Sequence, residues 1–114
     1  MVNNNLTTLY IIHIIIKPSH LRNKKHDAVT DGKKVVPFGQ KSASDYTLRK
    51  DKERQQRYID RHSKNENWND PKTAGFWSRW LTWEKPTLKE AVSNINRKFK
   101  NIHVSLARYF FSII

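Results

Sequence analysis

Between Leu6 and Ile16 the chain carries a nearly unbroken apolar run dominated by isoleucine. β-Branched side chains are stiff at χ1 and suit strands, so the run predicts a strand, either buried on both faces or paired centrally. Pro18 ends it, because proline lacks the N–H that a sheet ladder needs. Residues 19–25 are polar and basic and read as a loop. Two β-tolerant runs then flank Asp31-Gly32, a pair that accepts the positive φ of a tight turn. They predict hairpin strands near residues 26–30 and 33–38, with a linker from Gly39 to Ser44.

The period then changes from two to 3.6. Residues 47–63 contain no Gly or Pro and read as a helix, which Asp45 or Thr47 can cap. On a helical wheel, Lys50, Arg54, Arg57 and Arg61 fall within about 60° of one another. Leu48 and Ile59 form a thin apolar seam opposite, and so narrow a seam requires a neighbour for stability. Asp70-Pro71 predicts the start of a second helix, a carboxylate cap followed by proline in the first turn, which Pro86 stops near Glu84. On it Phe76, Trp80 and Trp83 share a face, flanked by Trp77 and Leu81. Gly75 inside that helix costs up to ~1 kcal/mol relative to alanine, which points to a close backbone approach or a local break. Thr87 and Glu90 have the spacing of a capping box. They open a third helix through Phe99, with Leu88, Ala91, Val92, Ile95 and Phe99 on one face. Ile102, Val104 and Leu106 alternate as a closing strand. The apolar stretch 107–114 reads either as its extension or as a tail.

These elements predict an α+β fold: a small antiparallel sheet, built from the N-terminal strand, the Asp-Gly hairpin and a C-terminal strand, with three helices. At 114 residues the expectation is one domain with one modest core. It comprises a strand and hairpin region (6–38), a helical region (44–100) and a closing strand or tail (101–114).

Charge changes the picture. The 22 Lys and Arg face 10 Asp and Glu, a net charge of +12. Such an excess favours polyanionic partners, whether nucleic acid, acidic lipid or an acidic protein surface. The Lys50–Arg61 stripe can contact phosphates, or be a solvated face paired internally by Asp51, Glu53 and Asp60. The aromatic set Trp68, Phe76, Trp77, Trp80 and Trp83 can stack bases or form a core with one contact edge, and core is the economical use of so much apolar area. There is no cysteine, so no disulfide, zinc ribbon or thiol nucleophile. The five histidines form no HExxH or other close metal pair. No P-loop, GxSxG or dinucleotide fingerprint occurs. The expectation is a binding protein, with no catalytic residues, metal or cofactor, rather than an enzyme. The first apolar run lacks the early positive charge and cleavage site of a signal peptide. It is also short of the ~20 residues a bilayer span needs, which disfavours a membrane.

Residues 44–99 resemble a small uncharacterised family found mainly in nucleocytoplasmic large DNA viruses. The shared letters are Asp45, Tyr46 and Thr47, then Lys50, Asp51, Tyr58, Arg61 and His62. They continue at Trp68, Asp70, Pro71, Thr73 to Trp77, Arg79 to Leu81, Trp83 and Lys85 to Leu88. Lys17 to Leu21 and the hairpin followed by Phe38-Gly39 are similar as well, so the resemblance covers most of residues 17–100. Glu84 departs from the pattern, as does the pair Ser42-Ala43, which alters the linker. The resemblance implies a virion, or a viral factory in the host cytoplasm, and carries no catalytic residue. The first expectation is a minor capsid or cement-type protein docking onto acidic neighbours in the capsid lattice, assembling with other virion proteins. It would use the basic helix, the N-terminal strand, exposed strand edges and the C-terminal tail. The alternative is a nucleic-acid-binding accessory of the viral core or factory.

Overall fold

Asp31 (φ 49°) and Gly32 (φ 73°) both take positive φ, and Lys33 N–H closes the turn on the Thr30 carbonyl at 2.9 Å. The computed structural model of the chain describes residues 11–107, and this turn sits at one end of its sheet. Strands β1 (Ile12–Pro18), β2 (Lys24–Thr30), β3 (Lys34–Gln40) and β4 (Ile102–Leu106) line up in the order β3-β2-β1-β4. The helices are α1 (Tyr46–Arg49), α2 (Lys52–His62), α3 (Ala74–Trp77), which continues into a π turn (Ser78–Thr82), and α4 (Leu88–Lys98). The architecture is α+β, as the patterning predicts. Leu6 to Tyr10 and residues 108–114, counted above in the first strand and the tail, lie outside the described residues.

Several expectations are corrected. The sheet is mixed: β1 is antiparallel to β2 but parallel to β4, with Ile12, Ile14 and Ile16 opposite Ile102, Val104 and Leu106. Alternation fixes which side chains face inward and says nothing of strand direction, so the parallel pairing had no sequence signal. β1 is central, but buried on one face only. Ile14 and Ile16 are enclosed, while Ile15 remains 47% exposed. Over its described residues β1 has a neighbouring strand on both edges, which leaves that part no edge to offer another molecule. The helix predicted from Asp70-Pro71 starts three residues later, with Thr73 as its cap accepting from Phe76 N–H. It ends at Thr82, where the Trp83 N–H reaches back to the Ser78 carbonyl, the i→i+5 bond of a π turn.

All the helical packing falls on one side of the sheet. Ile14, Ile16, Ala28, Phe38, Val104 and Leu106 meet Phe76, Trp77, Leu81, Ala91 and Ile95 in a single buried cluster. Each fully buried aliphatic or Phe side chain stabilises by roughly 1.5–3 kcal/mol. Phe99 packs edge-on against Phe76 (5.0 Å) and Trp80 (5.6 Å), and so joins α4 to the π turn as its predicted apolar face requires. The loop after β1 is tied by Asp27, which accepts from Ser19 Oγ (2.6 Å), His20 N–H (3.0 Å) and the His20 ring (2.6 Å). Burial pushes this carboxyl up, but the bonds from Ser19 and His20 outweigh it and hold the pKa below the ordinary value.

The outer edge of β4 is closed by a side chain. The Asn96 amide donates to the Val104 carbonyl (2.9 Å) and accepts from its N–H (2.7 Å). Both backbone groups are thereby satisfied without another strand. Asn96→Leu should cost roughly 1–3 kcal/mol, the penalty for leaving polar groups without partners. Urea unfolding measures it, and an unchanged midpoint would show that Val104 bonds to water instead.

His26, packed on Phe38 at 5.2 Å, is buried, and burial lowers its pKa from 6.5 to about 4. Below pH 6.5 the unfolded chain takes up a proton that the native site refuses. Stability should therefore be full above that pH and fall as the pH drops through about 4, by on the order of 3 kcal/mol. Urea midpoints measured between those limits test this. In His26→Phe, most of the slope should disappear.

Candidate functional site

Lys50 breaks the helix predicted over 47–63. It adopts φ 55° and ψ 36°, a left-handed conformation uncommon for a residue with a Cβ. Two caps compete within six residues. Asp45 accepts from Leu48 N–H and starts α1, then Asp51 accepts from Glu53 and Arg54 N–H and starts α2. The chain must turn between them, and Lys50 Nζ folds back onto the Thr47 carbonyl at 2.9 Å. Lys50 therefore leaves the basic stripe. Leu48 leaves the apolar seam with it and stands 63% exposed.

Arg54, Arg57 and Arg61 remain together. They line one groove of about 370 Å³ with Ala43, Ser44 and Trp83, and among the described residues no carboxylate takes part in its walls. The expected internal pairing is weak. Asp51 is engaged as a cap, Asp60 accepts from Gln56 (2.9 Å), and Glu53 approaches Arg57 only to 3.9 Å, with both side chains exposed. An exposed pair of this kind contributes little.

The flank of α2 beside the arginines is fixed by aromatic stacking. Tyr58 lies between His62 (4.3 Å) and Trp83 (4.6 Å, planes within 4°). Gln55 donates to the carbonyls of Trp83 (2.7 Å) and Glu84 (3.0 Å), and locks α2 to the segment after the π turn. The Tyr58 hydroxyl is enclosed without a hydrogen-bond partner among the described residues. Burial raises its pKa above the ordinary value of 10, so it stays protonated.

Beside Tyr58 a cleft of about 310 Å³ opens between the ends of β2 and β3, α2 and α3. Lys24, Lys25, Asp45, Arg61, His62 and Glu66 are among its walls. Lys25 Nζ meets the buried Asp45 carboxylate at 2.8 Å, which also accepts from Thr47 Oγ1 at 2.6 Å. Glu66 accepts from the Trp68 indole N–H (2.8 Å) and meets the His62 ring (2.9 Å). Gly75 explains itself here: a Cβ on it would stand 3.0 Å from the Glu66 carboxylate. Close approach is thus the reason for glycine in α3.

The tryptophans are fasteners rather than a stacking platform. Phe76 and Trp77 are core. Trp77 donates to the Pro71 carbonyl and Trp80 to the Trp68 carbonyl, both at 2.7 Å. Arg79 lies over the rings of Trp68 (5.1 Å) and Trp80 (4.4 Å) and pairs with Glu84, while Lys98 covers Trp80 at 4.9 Å. Trp68, Trp80 and Trp83 are half-buried. No group of three or more His, Asp or Glu that could hold a metal occurs among the described residues. The cleft was missed in the sequence. Its walls come from four separated segments, and the spacing of His62 and Glu66 was the one local hint.

Over residues 14–62, less than half its length, the chain is similar to a family of unknown function, DUF5754. That span runs from within β1 to the end of α2 and includes the three arginines. No curated protein matches the chain, and no solved structure does.

Gly75→Ala should displace the Glu66 carboxylate and weaken its bonds to His62 and Trp68, at about 1 kcal/mol each. This exceeds the ~1 kcal/mol gained in helix propensity, so a net loss of about 1 kcal/mol is expected. With Glu66→Ala already in place, the same change should stabilise instead. A double-mutant cycle in urea measures the reversal, and strict additivity would exclude the contact.

Proposed function

We propose that this protein is a non-enzymatic, small basic structural component of a large DNA virus particle. It acts as a minor capsid or cement-type protein, docking onto an acidic neighbour through Arg54, Arg57 and Arg61. The observation that carries the reading is the groove itself: three arginines on a helix pinned by stacking, in walls that hold no carboxylate among the described residues. Their guanidinium groups can make charge-assisted, bidentate bonds to partner carboxylates. The pinning of α2 presents them in a fixed arrangement, which lowers the ordering cost of association. The viral setting, in the virion or in a factory in the host cytoplasm, rests on the resemblance of residues 44–99. The docking face is α2 and not a strand edge.

The competing reading is a nucleic-acid accessory. Three phosphate contacts would give DNA binding a log–log salt slope of about −2.7, at roughly −0.9 per phosphate. Arg57→Ala would then flatten the slope by about 0.9. The expected result is weak duplex binding with no such change. The protein should instead appear in the shell fraction of nuclease-treated particles, with incorporation of Arg57→Ala reduced roughly tenfold, the loss of one charged hydrogen bond. Recovery in the nucleic-acid core, with a clear slope change in Arg57→Ala, would replace this reading with the nucleic-acid one.

A further inference from the structure

The cleft behind the arginine face has a donor balance of its own. Its two carboxylates are already engaged. Asp45 accepts from Lys25, Thr47 and the Leu48 N–H, and Glu66 is held by His62 and Trp68. The groups left over are donors. Among the described residues, Lys24 and Arg61 enter no ion pair. A cavity whose carboxylates are occupied and whose cationic donors are not selects an oxyanion. At about 310 Å³ it falls at the lower end of small-molecule sites, ~300–1,000 Å³, and offers more room than a bare ion needs. The ring of Trp83, stacked flat on Tyr58, gives that extra room an apolar wall.

We propose that this cleft is a binding site for a small phosphate monoester of mononucleotide size. The phosphate meets Lys24 and Arg61, and the organic part lies against Trp83. The site adjoins the docking face: Ala43, Ser44, Arg61 and Trp83 line both, Arg54 and Arg57 line only the arginine groove, and Lys24 lines only the cleft.

Titration of the full chain with adenosine monophosphate and with inorganic phosphate, monitored by amide NMR shifts, tests this. Both should saturate, the nucleotide more tightly, with shifts centred on Lys24, Tyr58 and His62. Lys24→Gln and Arg61→Gln should each weaken nucleotide binding about tenfold, the loss of one charge-assisted bond. Arg54→Gln should change it less than about twofold. The thermal midpoint of each variant without ligand confirms that it folds. Absence of saturation by either ligand at about 10 mM overturns the proposal. So does equal weakening by Arg54→Gln, which would reflect diffuse charge, or binding of an oligonucleotide without the mononucleotide.

Discussion

Ten carboxylates face 22 Lys and Arg in this chain, and the structure places half of them where the backbone turns. Asp27 ties down the loop after β1. Asp45 starts α1 and anchors Lys25 of β2. Asp51 starts α2, Asp70 holds the turn before α3 through Lys72 N–H, and Glu90 closes the cap of α4 with Thr87. A carboxylate bonded to backbone N–H groups is a stronger restraint than a neutral cap. On α2 itself Asp51 is engaged as the cap and Asp60 by Gln56, so only the exposed Glu53 approaches the arginines.

What could be read from the chain was whatever a few neighbouring residues decide. The Asp31-Gly32 turn, the Thr87 cap and the inward alternation of Ile102, Val104 and Leu106 are local and appear as expected, although the Glu90 carboxylate accepts from the Thr87 hydroxyl and not from its backbone N–H. Gly75 announced a close approach without naming Glu66. What escaped depended on competition or on distance. Residues 47–63 contain no helix breaker, yet two Asp caps force a turn at Lys50 and remove it from the stripe. The π turn adds one residue to a helical repeat and rotates the residues after it. Trp83 accordingly stacks on Tyr58 rather than continuing the face of Phe76. The cleft is assembled from segments dozens of residues apart, and no periodicity records such a meeting.

The stack of Tyr58 on Trp83 links these two irregularities. The turn at Lys50 sets the direction in which α2 leaves the sheet, and the π turn sets where Trp83 receives it. Gln55, reaching two successive carbonyls, fixes the helix along its axis. The arginines therefore project from a helix held by contacts on the flank of the same face, where Trp83 also lines the arginine groove.

Asn96 has a consequence for how copies of this molecule can be arranged. Its amide ends the sheet at β4, and Pro37, which has no N–H, interrupts the strand at the opposite edge. Among the described residues, a neighbouring chain thus finds no continuous ladder to extend. A contact with another molecule that avoids these two edges runs through side chains, and its ionic part weakens with salt. Its angle adjusts by rotamer changes and is not tied to the ~4.8 Å step of a growing sheet.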